Sequence, residues 1–461
     1  MAKMPSFLAA VAAMFLATPA LAEFNPNAFV KPPDITTTWS QVVPLYEAGT
    51  TLNHPIDASV SPPNHALTDL PDYPTSQTGR TVSTTEQCIA SSTGCPEAKF
   101  RSHANYTKVL HDDPIRNYGQ PGTSHCHTFF GNKNVNAYST YQKVRTNNSS
   151  FAAGAELNAT GYWHPCIVMT NPFGDGKDYI KKPDYAVIYY VAGWEDGPKF
   201  SRIPHGLRYV TGFDMDEPSK AWLQTYIDAA NAQPGTAGRY RLTNPLTGNS
   251  RYDHSISCST AGAQTKYFKN PDGTDPFNGE CTAGSDIIIS MEAASCWDGV
   301  HLWSPGGYRH IIPGIWDHVA SRFVCPKNYY EMPALIARVV LSHGGPTDYM
   351  RWRLSSDDHA AMVAGRTVQS GESWHFDWLD GWDQTTKNTW QQYCVGVEGN
   401  QPHECNDSAI SGTKKLITSQ AAPNGRSPQL DLSQKNTSIP ANMWRLPPSP
   451  HGPVTVHVHG N

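Results

Sequence analysis

The stretch Gly122-Thr-Ser-His-Cys-His-Thr-Phe-Phe-Gly131 places two histidines two residues apart, directly before an aromatic pair. In an extended strand, residues i and i+2 project from the same face, so His125 and His127 are predicted to point together. Two imidazoles directed at one volume can share a metal ion or clamp a substrate and transfer protons. The competing interpretation is a histidine-rich strand end packed on aromatic side chains.

Further strands are predicted where β-branched and aromatic residues dominate, in residues 185–191, 286–291 and 337–341 and, with looser alternation, 207–213. One helix is predicted over residues 218–230, with Pro218 near its start and an apolar face formed by Trp222, Tyr226 and Ala229. The 37 prolines and 36 glycines of the 461-residue chain favour turns over long helices. We therefore predict a mainly β fold: a large β-sandwich or jelly-roll-like single domain with long loops, few helices and several disulfides.

The N-terminus has the features of a cleavable export signal, namely a basic start at Lys3, a short apolar run and an Ala-x-Ala ending at Ala22. We predict a signal peptide over residues 1–22, and hence a secreted, extracellular or periplasmic, protein. Residues 23–85 are predicted to form an irregular Pro/Thr-rich arm, residues 86–418 a catalytic-like β-rich domain, and residues 419–461 a C-terminal tail. The alternating segment 454–459 in that tail predicts a terminal edge strand, with a second metal site at His457 and His459 as the alternative.

Composition and charge exclude some classes of partner. The formal net charge is only -5, and no clustered basic face points to nucleic acid. No later stretch offers the roughly 20 apolar residues that a membrane-spanning helix needs. The 13 tryptophans and 21 tyrosines suit stacking on sugar rings, and they equally suit the core of a β-sheet protein. We expect a monomer whose partner is a polysaccharide or a cell-wall glycan.

All ten cysteines follow the export signal, and an even number in an exported chain suggests disulfides. Pairing of sequence neighbours proposes Cys88–Cys95, Cys258–Cys281, Cys296–Cys325 and Cys394–Cys405, which leaves Cys126–Cys166. Each pair is a hypothesis, since sequence does not fix connectivity. A rival interpretation makes Cys126 a thiolate metal ligand, but strand alternation turns it away from His125 and His127.

Two later segments also combine histidine with aspartate. Residues 296–318 contain Asp298, which can orient an imidazole or transfer a proton, or can simply cap the turn at Gly299. In residues 371–383, alternation puts His375 and Asp377 on one face of a strand and three aromatic residues on the other. A histidine beside a carboxylate suits acid–base catalysis or a two-ligand contribution to a metal site, and the alternative is a surface ion pair.

Several motifs together resemble one family. They are Ser124-His-x-His with Phe129-Phe-Gly131, Tyr162-Trp with Pro165, Cys296-Trp-Asp-Gly299, and His375-x-Asp with Gly381-Trp382. Their order is similar to that of the secreted domain-of-unknown-function family nineteen-ninety-six, which occurs in bacteria and in fungi, there often beside a wall-carbohydrate-binding module. The resemblance implies no particular reaction, but it implies that His125, His127, Asp298, His310, His375 and Asp377 group together. The chain departs from the family at Cys126, where an apolar residue is usual, and near Gly307, where the family often has a further histidine.

Three functions fit these residues, and the first is a polysaccharide-active enzyme with a His/Asp cluster in a surface cleft. Its candidate catalytic residues are the six that the resemblance groups, and its candidate substrate-binding residues are Tyr162, Trp163, Arg309 and Trp382. A glycoside hydrolase would use Asp298 and Asp377 as its carboxylate pair. A lyase would use His125 or Tyr162 as the base and Arg309 to neutralise a uronate.

The second function is that of a metal-dependent enzyme, in which His125, His127 and either His310 or His375 hold zinc or copper. The third is a non-catalytic carbohydrate- or wall-binding protein, in which the histidines only donate and accept hydrogen bonds. We expect the first of the three, and metal content separates it from the second.

Overall fold

The structure is a computed structural model. It describes residues 99–146, 150–152, 157–171, 178–191, 203–215, 221–232, 234–235, 237–243, 245, 254–260, 263–268, 281, 285–298, 301–303, 307–308, 310–319, 321–325, 329–343, 349, 352–364, 367–383, 386–387, 390–391, 395, 404–406 and 443–445. The predicted signal peptide, the predicted arm, the Cys88–Cys95 pair, Cys394 and the segment 454–459 lie outside these residues.

The described residues are mainly β. The strands, in chain order, are β1 (Lys99–Ala104), β2 (Tyr106–Leu110), β3 (His127–Gly131), β4 (Gly161–Pro165), β5 (Ile167–Met169), β6 (Tyr179–Lys181), β7 (Tyr185–Val191), β8 (Arg208–Gly212), β9 (Tyr240–Arg241), β10 (His254–Thr260), β11 (Ala263–Phe268), β12 (Asp286–Glu292), β13 (Cys296–Trp297), β14 (Ile311–Ile312), β15 (Ile315–Asp317), β16 (Arg322–Val324), β17 (Tyr330–Glu331), β18 (Ala334–Ser342), β19 (Trp352–Leu354), β20 (His375–Leu379), β21 (Glu404–Asn406) and β22 (Met443–Arg445). The helices are α1 (Tyr141–Thr146), α2 (Ala221–Asn231) and α3 (Ser355–Ala364). The mainly β prediction is confirmed, and β7, β8, β12, β18 and α2 lie where the sequence places them.

Two sheets carry most of the fold. One has seven strands in the order β11-β10-β12-β18-β7-β1-β21, and the other has five in the order β2-β3-β4-β20-β8. Three smaller sheets contain the other described strands, and in one of these β22 pairs with β6 at an edge. The tail thus supplies an edge strand at Met443–Arg445, upstream of the predicted segment 454–459.

The two main sheets share one hydrophobic core, as the layers of a β-sandwich do. Ile188, Ile289 and Val339 of the seven-stranded sheet belong to the same buried cluster as Phe130 and Trp378 of the five-stranded sheet. Burial of each such side chain stabilises the fold by about 2 kcal/mol. The core therefore lies under the inner face of the five-stranded sheet.

The outer face of the five-stranded sheet is different. Strand alternation places Phe129, Trp163, Val210 and Leu379 on this outer face. They form a separate buried cluster that also includes loop residues such as Trp303. The same alternation places His127, His375 and Asp377 on this outer face, beside the cluster. The second cluster therefore supports the polar group from one side.

Three of the predicted disulfides are present: Cys126–Cys166, Cys258–Cys281 and Cys296–Cys325. Cys126 is oxidised and lies in the inner core, so it is not a thiolate ligand. The Cys126–Cys166 bridge ties the residue between the two histidines to the end of β4.

Among the described residues, no helix combines the length and the apolar character that a bilayer crossing requires.

Candidate functional site

Three histidines converge on the outer face of the five-stranded sheet. His127 starts β3 and His375 starts β20, while His125 lies in the segment just before β3. The ring centroid of His125 is 4.3 Å from that of His127 and 5.1 Å from that of His375. The two histidines of the His-x-His motif therefore point together, as predicted, although only His127 belongs to the strand.

Two carboxylates join the histidines. Asp377 follows His375 on the same face of β20, and Asp113 comes from the loop after β2. Donor atoms of His125, His127 and His375 lie within 4.8 Å of one another, and so do those of Asp113, His127 and Asp377. His127 belongs to both sets, so the five side chains surround one volume.

The separations in this group are longer than direct hydrogen bonds, except for one. The Nε2 atoms of His125 and His375 are 3.2 Å apart. Asp377 Oδ2 lies 3.8 Å from His127 Nε2 and 3.9 Å from His375 Nε2. Strong hydrogen bonds to a carboxylate measure about 2.7–2.9 Å, so Asp377 is not bonded to either imidazole.

Backbone carbonyls determine which ring nitrogen of two histidines carries the proton. His127 Nδ1 lies 2.9 Å from the Asp112 carbonyl oxygen, and His375 Nδ1 lies 2.9 Å from that of Ser373. A carbonyl oxygen can only accept, so each Nδ1 is the donor and each Nε2 carries a lone pair. Both lone pairs face the shared volume.

The carboxylates present acceptors to the same volume. Neither oxygen of Asp377 has a hydrogen bond of normal geometry, although the Trp163 indole interacts weakly with this carboxyl group. Asp113 uses Oδ1 to accept the backbone N–H groups of Ile115 and Arg116, at 2.7 and 3.0 Å, and its Oδ2 is buried without a bond. His127 Nε2 is likewise buried without a bond.

Burial controls the charge states here. His127, His375, Asp113 and Asp377 are completely buried, and His125 is only 4% exposed. Burial, reinforced by the neighbouring imidazoles, lowers the pKa of His125 and of His127 well below the usual 6.5. Burial also lowers the pKa of His375 to about 3. The three imidazoles are therefore neutral at neutral pH and available as ligands.

The two carboxyl groups shift in the opposite direction. Burial raises the pKa of Asp377 well above 3.8, and the nearby Asp113 raises it further. Burial also raises the pKa of Asp113, against the two backbone N–H donors that lower it. Two buried carboxylates side by side disfavour ionisation unless a positive charge lies between them.

Asp298 and His310, from the segment 296–318, belong to a separate group. Asp298 Oδ2 lies 2.5 Å from His301 Nδ1, and Asp298 Oδ1 accepts the His301 backbone N–H at 2.8 Å. His310 Nε2 donates to the Arg208 carbonyl oxygen at 2.9 Å. Arg208 pairs with Leu379, whereas Gly212 pairs with His375, so the two locations are about 13 Å apart along the sheet.

Only four of the six residues that the family resemblance grouped together lie in this group. The structure brings together His125, His127, His375 and Asp377, but it leaves Asp298 and His310 outside that group. The structure does not support the predicted metal set with His310, because His310 Nε2 is bonded to the Arg208 carbonyl, about 13 Å along the sheet from His375. His375 takes the third place.

The predicted sugar-stacking residues do not line an open surface. Tyr162, Trp163 and Trp382 are completely buried, and a buried ring offers no face to a sugar. Trp163 stacks on Phe129 with ring centroids 5.4 Å apart, and Tyr162 bonds to the Tyr190 hydroxyl at 2.8 Å. Arg309 lies outside the described residues. The histidine group is likewise enclosed by protein, where the sequence suggested a cleft.

Asp113 is the site residue that the sequence did not reveal. It lies in His111-Asp-Asp-Pro114, a sequence typical of a turn. Its neighbour Asp112 stabilises the loop by accepting the backbone N–H groups of Gly122 and Ala137, both within 3.0 Å. The sequence gives only a weak indication of this role, namely that two acidic residues come before the strand that carries the histidines.

Comparison with curated proteins and with solved structures finds no match in either. A family described as Domain of unknown function (DUF1996) matches residues 113–382, a range that includes all five side chains of the group. This match covers more than half of the chain and spans the motifs at His125, Cys296 and His375 that resemble the family. The chain therefore belongs to the DUF1996 family.

Proposed function

We propose that this protein is an exported metal-dependent enzyme, in which His125, His127 and His375 hold a divalent ion of the zinc class. The observation that carries this proposal is a buried volume lined by unpaired acceptors. His127 Nε2, both oxygens of Asp377 and Asp113 Oδ2 are all buried there without a hydrogen bond. Buried polar atoms are normally paired, and acceptors that face one another are best paired by a cation.

The separations fit such an ion. Zinc binds imidazole nitrogen at about 2.0–2.1 Å and carboxylate oxygen at about 2.0–2.2 Å, so tetrahedral ligand atoms lie about 3.4 Å apart. Among the three proposed ligands, His125 Nε2 and His375 Nε2 are 3.2 Å apart, and donor atoms of all three histidines lie within 4.8 Å of one another. Asp377 Oδ2 lies 3.8 Å from His127 Nε2 and 3.9 Å from His375 Nε2, too far for a hydrogen bond and close enough to reach a water molecule beside the ion.

Charge supports a divalent ion. Three neutral imidazoles and two ionised carboxylates carry two negative charges, which a divalent ion neutralises. Imidazole favours zinc or copper over magnesium or calcium, and the carboxylates make a singly charged copper ion a poorer fit.

In this proposal the chain's own residues divide the work. His125, His127 and His375 hold the ion, and Asp113 balances its charge. Asp377, whose oxygens have no hydrogen bond of normal geometry, would accept a proton from the attacking water. A bound zinc-class ion lowers the pKa of a water molecule and polarises the group under attack. His125 is the one member of the group with residual exposure.

The first test is elemental analysis of protein produced without a histidine tag. We expect a single zinc-class ion per chain, removed by a chelator and restored by adding zinc. Hydrolysis of a panel of neutral and uronic polysaccharides, the substrate class that an exported chain suggests, should follow the metal content. A folded protein that neither contains nor takes up metal would exclude this function.

A second candidate, glycoside hydrolysis without metal, is favoured by one observation. Oxygens of Asp113 and Asp377 lie within 4.8 Å of each other, and retaining glycosidases use two carboxyl groups about 5 Å apart. The raised pKa of Asp377 would suit a proton donor. The same panel separates the two candidates, because activity that survives complete metal removal supports the carboxylate pair.

A further inference from the structure

The ring of His375 is oriented from behind by hydrogen bonds that begin at a second buried carboxylate, Asp357. His375 Nδ1 donates to the Ser373 carbonyl at 2.9 Å. The hydroxyl and the backbone N–H of Ser373 both donate to Asp357 Oδ1, at 2.6 and 3.1 Å. All three residues are completely buried. The direction of the carbonyl that His375 uses is therefore set by Asp357.

The other oxygen of Asp357 is occupied as well. Oδ2 accepts the backbone N–H groups of Leu354 at 2.7 Å and of Gly371 at 2.8 Å. Leu354 directly precedes α3, so Asp357 caps the helix in which it lies. Gly371 lies two residues before Ser373. One carboxylate thus ties the start of α3 to the segment that leads into β20.

Four donors on one side chain require a carboxylate. Each oxygen of Asp357 accepts two of them, whereas an amide would turn its own N–H groups toward two of these donors. Ser356 adds one more hydrogen bond to this series, because its hydroxyl lies 2.6 Å from Ser373 Oγ. Since the Ser373 hydroxyl donates to Asp357, Ser356 is the donor in that pair.

We propose that Asp357 is a positioning residue of the metal centre. Through Ser373 it fixes the tautomer and the direction of the His375 imidazole, so that Nε2 presents its lone pair to the ion. The inference rests on the proposed function, and Asp357 itself touches neither ion nor substrate. Partners that orient a ligating histidine typically contribute 10- to 100-fold to metal affinity.

The test compares Asp357→Asn with Asp383→Asn in the full chain. Asp383 is a matched control, because it is also buried and accepts the N–H and hydroxyl groups of Thr386, both at 2.9 Å, without a link to a histidine of the group. We expect Asp357→Asn to weaken zinc binding, measured by calorimetry, by about 10-fold or more. The Asp383→Asn variant should bind zinc as the wild type does, and only Asp357→Asn should shift the visible spectrum of bound cobalt.

A second measurement does not depend on metal. Nitrogen-15 NMR of histidine in the metal-free wild type should show His375 protonated on Nδ1 alone, and Asp357→Asn should add the other tautomer. Ser373→Ala removes only the hydroxyl donor and serves if Asp357→Asn does not fold; we expect it to shift the tautomer and the zinc affinity in the same direction, by less.

Two failures are distinguishable. A wild type that takes up no metal overturns the proposed function, while the tautomer measurement still decides the role of Asp357. A folded Asp357→Asn variant with unchanged zinc affinity and an unchanged His375 tautomer reduces Asp357 to a helix cap, and the inference is then overturned.

Discussion

Two groups of histidine and aspartate residues lie at different positions along the five-stranded sheet, and they differ in how their polar atoms are paired. In the group around Asp298, the carboxylate bonds to His301 through both oxygens, and His310 donates to a carbonyl. In the group around Asp377, acceptor atoms face one another and lack partners. Residue types alone do not separate the groups. The difference is whether the surrounding protein satisfies the hydrogen-bonding capacity of the polar atoms, and only the second group has capacity left for a ligand.

The largest expected difference between the groups is in metal binding. Replacing His375 by Ala removes one of the three proposed nitrogen ligands, so we expect stoichiometric zinc binding to be abolished. His310→Ala removes a residue of the other group and should leave zinc affinity within a factor of about two. Calorimetric titration of both purified variants measures this, and equal losses would erase the distinction between the groups.

The disulfides near the two groups should differ in their effect on zinc binding. Loss of Cys126–Cys166 or of Cys296–Cys325, with sequence separations of 40 and 29, should each lower the free energy of unfolding by about 4 kcal/mol. Only the first bridge holds the residue between His125 and His127. We therefore expect Cys126→Ala with Cys166→Ala to weaken zinc binding, and Cys296→Ala with Cys325→Ala to leave it intact.

Denaturant titrations would measure these stability losses alongside the zinc affinities. Loss of zinc binding in the Cys296–Cys325 variant as well would indicate a general loosening of the fold.

Replacing the carboxylate by an amide should lower the free energy of unfolding in the Asp298 group but not in the Asp377 group. Asp298→Asn breaks bonds to His301 and should lower the free energy of unfolding by about 2 kcal/mol. Asp377→Asn in chelator-treated protein removes a buried carboxyl group without a hydrogen bond of normal geometry and adds an N–H that can donate to His127 or His375. We expect unchanged or higher stability, measured by urea unfolding, together with weaker zinc binding. A large destabilisation by Asp377→Asn would mean that this residue is structural.

The smallest expected effect is a pH dependence at His310. Burial lowers its pKa from 6.5 to about 3, so the unfolded chain binds a proton before the folded protein does. Its contribution to stability is therefore present above pH 6.5 and is lost as the pH falls toward 3. Between about pH 7 and pH 5.5 the loss amounts to about 1 kcal/mol.

His310→Gln keeps a nitrogen donor for the Arg208 carbonyl but does not titrate, so this portion of the acid destabilisation should disappear. Unfolding curves of wild type and variant at the two pH values provide the measurement. Parallel behaviour of the two proteins would contradict the assignment.

Strand alternation predicted part of this site from the sequence. It placed His375 and Asp377 on one face and turned Cys126 away from its neighbouring histidines, because the side-chain period of a strand is fixed by the backbone. The β7 strand was predicted correctly for a different reason, because its β-branched and aromatic residues suit a buried strand.

The remainder depended on contacts between distant segments. Asp112 and Asp113 are identical in type and adjacent in sequence, and both accept backbone N–H groups, yet only the packing of the loop decides that an oxygen of Asp113 also faces the histidines. The choice between His310 and His375 as third ligand depended on a carbonyl from β8, which no local pattern reveals. Trp163 and Trp382 suited sugar stacking equally well until burial assigned them to the core.

The inner face of β3 and β20 has a consequence for the histidines on the outer face. Phe130, Phe376 and Trp378 anchor these strands in the core that both large sheets share. Local opening is rarest in such regions, so the proposed ligands His127 and His375 are attached to the part of the molecule that moves least. The proposed metal centre would therefore be preorganised, and little conformational entropy would be lost on ion binding.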